Sequence, residues 1–117
     1  MKRDMDLIRE LLILIENQED DSRELKLPVS IERSFAVYQL RMLEQAGYTK
    51  NNIHYADNKP MWIHSSLTWD GQEFLDAIKN ETVWKKVKQT IVEKGGSIPM
   101  EVLKSLAIKI SEGFFLS

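Results

Sequence analysis

The chain has 117 residues, of which 43% are hydrophobic and 29% charged, with a net charge of −2 and no cysteine. That size suits one domain with one core, and the composition excludes a disordered or collagen-like chain. The missing cysteines exclude disulfides, thiol nucleophiles and cysteine-ligated zinc together.

No apolar run approaches the ~20 residues of a membrane span. The short run Leu11 to Ile15 is flanked by acids, unlike a secretory signal. A cytoplasmic protein without membrane contact is expected. Charge is unevenly placed. Residues 1–24 hold four basic and eight acidic side chains, residues 25–60 five basic and three acidic, and residues 61–117 seven of each. Only the middle segment has a basic excess, smaller than a dedicated nucleic-acid binder usually shows.

In chain order, Ile8, Leu11, Leu12 and Ile15 recur at helical spacing and predict a helix over 4–17, with Asp4 and Asp6 in its first turn. A polar, acidic loop follows over 17–24. Leu25-Lys26-Leu27 alternates and predicts a short strand ended by Pro28. Ser30 then suits the N-cap of a helix over 31–46. On a wheel this helix has one apolar face of Ile31, Phe35, Tyr38, Met42 and Ala46, and a second of Ala36, Leu40 and Leu43. The remaining stripe carries Arg33, Ser34, Val37, Arg41 and Glu44. Gly47 suits a left-handed helix stop.

The period then changes. Ile53-His54-Tyr55 and Met61-Trp62-Ile63-His64 are β-prone runs about the turn Asp57-Asn58-Lys59-Pro60, which predicts a hairpin. Thr68 is a good N-cap for a helix over 69–79 with Phe74, Leu75 and Ile78 on its apolar side. Asn80 marks a break. Val83, Trp84, Val87 and Ile91 predict a helix over 82–94, stopped by Gly95-Gly96. Pro99 opens a last helix bearing Val102, Leu103, Leu106, Ala107 and Ile110, with Gly113 as its stop. The apolar end, Phe114 to Leu116, is expected to dock on the body or on a partner.

Helix, short strand, helix, hairpin, helix is the chain order of a winged helix. A lone hairpin is unstable, so it must lay one face on the helices and project its tip as a wing. The fold expected is α+β: a winged-helix core over residues 1–79 and a C-terminal helical pair over 80–117, packed as one domain.

Met1-Lys2-Arg3-Asp4-Met5-Asp6-Leu7-Ile8-Arg9, Leu67-Thr68-Trp69-Asp70-Gly71-Gln72-Glu73-Phe74-Leu75-Asp76-Ala77-Ile78 and Thr82-Val83-Trp84-Lys85-Lys86-Val87 resemble motifs of a family of small bacterial and phage-borne proteins, a domain of unknown function. A looser similarity runs to YjcQ-like winged-helix proteins. The resemblance implies a winged-helix fold and a mobile-element setting, and brings no catalytic or binding residues with it. One departure stands out: a helix-turn-helix reads the major groove with the second of two short helices, and residues 18–47 show one long helix with none before it.

Arg33, Ser34 and Arg41 on the helix, with Lys50 and wing-tip Lys59, form the candidate nucleic-acid contact. They would meet phosphates with salt-dependent affinity, and the arginines are suited to reading guanine. An ordinary solvated helix edge accounts for the same stripe, and Glu32 and Glu44 dilute it. His54 and His64 on opposite strands are too few for zinc, which usually takes at least three protein ligands. Trp62, Trp69 and Trp84 suit either base stacking or core packing, and their apolar neighbours favour the core. Lys85, Lys86, Lys88 and Lys94 make a modest basic face, usually a matter of solubility.

No phosphate-binding glycine loop, HExxH, GxSxG or cysteine is present. A non-enzymatic protein without cofactor, metal or small-molecule substrate is therefore expected. Two functions stay open: a DNA-binding accessory or regulatory protein meeting double-stranded DNA through the 31–46 helix and the wing, and a protein-interaction module without DNA binding, pairing with a partner or a second copy through the C-terminal helices. The first predicts that Arg33, Arg41, Lys50 and Lys59 converge. The second predicts exposed apolar surface at Ile13, Val37 or Phe114–Leu116.

Overall fold

The computed structural model describes residues 1–116. It is a mixed α+β structure of five helices and one two-stranded antiparallel sheet. The chain forms two compact units, Met1–Gln72 and the segment from Glu73 onwards. Their boundary falls inside a helix.

The first unit contains α1 (Met5–Glu16), α2 (Arg33–Gln45), β1 (Thr49–Ala56), β2 (Lys59–Leu67) and the first turn of α3 (Trp69–Ile78). Asp4 caps α1, its carboxylate accepting from the Leu7 amide at 3.1 Å. The helices pack on one another and on the hairpin. Ile8, Leu11, Leu12 and Ile15 from α1, Ala36, Val37, Leu40 and Leu43 from α2, and Ile63 from β2 are buried there. Each large aliphatic side chain so buried contributes about 1.5–3 kcal/mol.

The α2 wheel needs correction. Its buried face holds Ala36, Val37, Gln39, Leu40 and Leu43. Val37 thus belongs to the core and not to the outer stripe, while Phe35, Tyr38 and Met42 are only half-buried. Gln39 is fully buried because it makes two backbone bonds. Its Oε1 accepts from the Asp4 amide at 2.9 Å, and its Nε2 donates to the Lys2 carbonyl at 2.9 Å. The glutamine thereby ties the N-terminal segment to α2, and a satisfied amide carries little burial cost.

Both ends of α2 are informative. Ser30 is not the N-cap. The Ile31 amide bonds back to the Pro28 carbonyl at 3.0 Å, so Ser30 sits in a turn and the cap falls on Glu32. At the other end Gly47 has φ 85°, Tyr48 N–H reaches the Leu43 carbonyl at 2.9 Å and Gly47 N–H the Glu44 carbonyl at 2.9 Å. This is the paired closure of a Schellman motif, with Tyr48 buried behind it.

The second unit contains the rest of α3, α4 (Glu81–Glu93) and α5 (Met100–Leu116). Asn80 caps α4, its Oδ1 accepting from Thr82 and Val83 amides at 2.9 and 3.1 Å. Val83, Trp84 and Val87 of α4 and Leu103 and Ala107 of α5 are buried, and the two helices pack together. Gly95 and Gly96 end α4 with φ 112° and 85°.

Gly113 does not end α5. The helix continues through it to Leu116, since a glycine in a helical conformation costs only about 1 kcal/mol against alanine. At the end of α5, where docking on the body or on a partner was expected, Phe115 is 63% and Leu116 83% exposed. No helix among the described residues is long and apolar enough to cross a membrane.

Candidate nucleic-acid interface

The expected hairpin is the β1–β2 ribbon. Its loop is two residues long, since Ala56 pairs with Lys59. Asp57 and Asn58 have φ 53° and 63°, the left-handed pair that a type I′ turn requires and that Asp and Asn tolerate best after glycine. Lys59 and Pro60 therefore belong to β2, not to the turn. The register slips nearby: His54 pairs with Trp62 but Tyr55 with Pro60, leaving Met61 as the extra residue of a bulge.

Donors from the rest of the unit occupy the outer edge of β2. The Leu25 amide donates to the Ile63 carbonyl at 2.7 Å, Gln18 Nε2 to the Ser65 carbonyl at 3.0 Å, and the Arg33 guanidinium to the Met61 carbonyl at 2.9 Å. The strand expected over 25–27 is thus reduced to one bond, because Pro28 cannot donate and the chain turns away at once. On the β1 edge, Glu44 Oε1 accepts from the Asn51 amide at 2.6 Å. Asn51 also donates through Nδ2 to the Leu40 carbonyl at 2.7 Å and accepts from the Ser65 hydroxyl at 2.6 Å. Arg41 hydrogen-bonds the Tyr55 hydroxyl and lies 5.6 Å from that ring's centroid.

These contacts engage two of the five candidate residues. Arg33 and Arg41 hold the ribbon against α2. Arg33, Ser34 and Lys59 are brought together, lining one open groove of about 610 Å³ with Leu27, Val29 and Met61. Glu32 shares that groove. Lys50 does not join them. It lines a separate hollow with Asp21, Asn52 and His64. The full convergence of Arg33, Arg41, Lys50 and Lys59 is therefore not observed.

The other face of the ribbon carries residues that sequence patterning undervalued. Trp62 is 50% exposed, although its apolar neighbours pointed to the core. Its register partner is His54, and the His54 and His64 rings meet edge to face at 5.5 Å. His64 Nδ1 is buried without a hydrogen-bond partner. Asn52 and Lys50 continue the same alternation toward the base of the ribbon. Strict alternation of Ile63 and Ser65 inward against Trp62 and His64 outward is the signal that places these side chains. Trp69 is also exposed, at 81%, and only Trp84 is buried. Trp69 opens α3 and faces solvent where core packing was expected.

The acidic loop before Leu25 is organised by Asp20. Its carboxyl is held below the usual carboxylate range first by the Ser22 hydroxyl, then by the Ser22 amide at 2.9 Å, with Arg23 contributing from 3.7 Å. Among the described residues no group of three or more His, Asp or Glu side chains is placed to hold a metal ion.

Residues 2–97 match the family model described as "Hypothetical protein (DUF2513)". The chain belongs to this family. A curated protein of Haemophilus influenzae (strain ATCC 51907 / DSM 11121 / KW20 / Rd), called "Uncharacterized protein", is 34% identical over 110 residues, covering 92% of each chain. Among solved structures, that titled "The Crystal Structure of smu.1704 from Streptococcus mutans UA159" is 25% identical. It covers 80% of this chain and 92% of its own, with a TM-score of 0.44. The family match spans the first unit from residue 2 onwards and ends before α5.

One family-matched residue was missed from sequence. Gly71 sits in the first turn of α3, where a Cβ would collide with the Tyr48 carbonyl and lie 2.8 Å from its carbon. The same seam is closed by Thr68, which donates through its hydroxyl to the Gly47 carbonyl at 2.6 Å and through its amide to the Tyr48 carbonyl at 3.1 Å. The Thr68 hydroxyl accepts from the Gly71 amide at 3.0 Å, as expected of an N-cap. The signal was an isolated glycine within a helical pattern, which commonly marks close packing.

Proposed function

We propose that the chain is a non-enzymatic protein of winged-helix type that binds double-stranded DNA through α2 and the wing, as an accessory or regulatory protein of a bacterial or phage element. The observation that carries this reading is the groove in which Arg33, Ser34 and Lys59 meet. Two cations and a hydroxyl at the junction of a helix N-terminus and a ribbon are suited to a phosphate backbone. The winged-helix reading is supported by the order α1, α2, ribbon, α3 and by the Leu25–Ile63 bond at the ribbon's edge. With no second short helix before α2, backbone contact rather than base reading is the mode that fits.

The test is fluorescence anisotropy of random-sequence duplex DNA across a salt series. Wild type is run beside Lys59→Ala, which removes a charge that braces nothing described. Affinity should fall with salt, and Lys59→Ala should reduce the logarithmic slope by about one. Absence of binding at low salt, where attraction between exposed charges is strongest, sinks the proposal.

A second reading is a protein-interaction module without DNA binding. The exposure of Phe115 and Leu116 on α5 favours it, as does the near-neutral charge. Concentration-dependent self-association abolished by Phe115→Glu, in a protein that ignores DNA, is its signature.

A further inference from the structure

We infer that the outer face of the ribbon is a stacking surface for unpaired bases, so that the protein holds a single nucleic-acid strand there. The inference rests on the nucleic-acid reading above but uses a different surface, away from the Arg33–Lys59 groove.

Three observations select this face. First, the ribbon cannot recruit an added strand at the positions described. The outward carbonyls of Met61, Ile63 and Ser65 already accept from Arg33, Leu25 and Gln18, and the Asn51 amide is held by Glu44. What the wing offers a ligand is therefore side-chain surface, not backbone. Second, that surface is made of rings. Trp62 is half-exposed, His54 is its register partner, and His64 lies edge-on to His54 at 5.5 Å. A flat indole beside imidazoles receives a base on its π-face and tolerates any sequence. Third, the remaining residues on this face are polar and cationic. Asn52 pairs with His64 and Lys50 with Ser66, which suits a base edge and a phosphate. Lys50 to His54 covers about 13 Å along the strand, enough for more than one nucleotide.

The chemistry argues against an apolar protein partner. Trp62 is the one large apolar side chain in this alternating set, whereas the centre of a protein interface is apolar and poor in charge. Asp21 lines the hollow beside Lys50, so the phosphate end is the weaker part of the surface and the rings are the stronger.

The experiment uses the full chain carrying Trp69→Phe. Trp62 is then the one exposed indole, since Trp84 is buried. A random-sequence single-stranded DNA oligonucleotide and its duplex are titrated at low salt, reading tryptophan emission and anisotropy together. Single strand should bind and quench Trp62. Trp62→Ala should weaken single-strand binding about tenfold, Trp62→Phe should recover most of it, and Lys59→Ala should affect duplex more than single strand. Asn52→Asp places a carboxylate on the same face without removing a ring and should also weaken single-strand binding. Single-strand binding that leaves Trp62 emission and Trp62→Ala affinity unchanged overturns the inference. So does duplex binding without single-strand binding, which leaves the DNA reading standing. No binding of either form overturns both.

Discussion

The two sides of the β1–β2 ribbon differ more than any other pair of surfaces in the first unit. On the side facing α2, side chains and edges are engaged: Asn51 with Leu40 and Ser65, Glu44 with the Asn51 amide, Arg33 with Met61, Arg41 with Tyr55. On the opposite side Trp62, His54, Asn52 and Lys50 stand exposed. A two-stranded ribbon has too little apolar surface to hold itself, so its inner side spends its polar groups on anchorage. Two of the five residues first suspected of binding, Arg33 and Arg41, fall on the anchoring side of that division.

The largest effect expected from breaking the anchorage is at its base. Gly71→Ala would drive a methyl group into the Tyr48 carbonyl, a backbone atom that cannot swing aside. It should destabilise by about 3 kcal/mol or more, read as a lower urea midpoint at unchanged slope. A loss below about 0.5 kcal/mol would mean that the first turn of α3 lifts freely from the Gly47–Tyr48 turn, and the ribbon's base would not be a fixed point.

Neighbouring asparagines give the sharpest contrast between the two sides. Asn51→Ala removes one donor and one acceptor and leaves the Leu40 carbonyl and the buried Ser65 hydroxyl poorly matched. It should cost about 2 kcal/mol. Asn52→Ala, one residue on and facing out, should change stability by no more than about 0.5 kcal/mol. Equal effects at the two positions would erase the distinction between the faces. The same logic separates the cations at a smaller scale. Arg33→Ala loses an exposed bond to the Met61 carbonyl and should cost about 0.5 kcal/mol. Lys59→Ala should leave the melting temperature unmoved while lowering duplex affinity.

Much of this frame was legible in the chain itself because local rules decided it. Helical spacing located α1, α2, α3 and α4 within about two residues, which is the usual disagreement at helix ends. Gly47, Thr68, Asn80 and Gly95-Gly96 were read correctly because each satisfies a cap or stop by itself. What escaped was set by distant partners. Gln39 is buried only because Lys2 and Asp4 lie across it. Gly71 is required only because Tyr48 passes beneath it. Arg33 and Arg41 fall on the exposed edge of a wheel, and no wheel shows that a ribbon folds back against them. Trp62 and Trp69 were assigned inward because their neighbours in sequence are apolar, whereas strand alternation, a purely local rule, already placed Trp62 outward.

A last contrast lies at the tip of the ribbon, where the two sides meet. Asp57 and Asn58 both adopt positive φ, a conformation that costs an ordinary L-residue about 1–2 kcal/mol but Asn considerably less, because its short amide bonds locally. Asn58→Gly produces Asp-Gly, a favoured pair for a two-residue hairpin loop. The gain is reduced because glycine also frees the unfolded chain, so a rise of about 0.5 kcal/mol in unfolding free energy is expected. Asn58→Ala keeps the strain and loses the local amide, so it should fall below wild type by about 1 kcal/mol. The order Gly above Asn above Ala, in one denaturation series, would establish the left-handed loop in solution. If Asn58→Gly also left both single-strand and duplex affinities unchanged, the tip would count as part of the frame, and recognition would be confined to the outer face and the Lys59 groove.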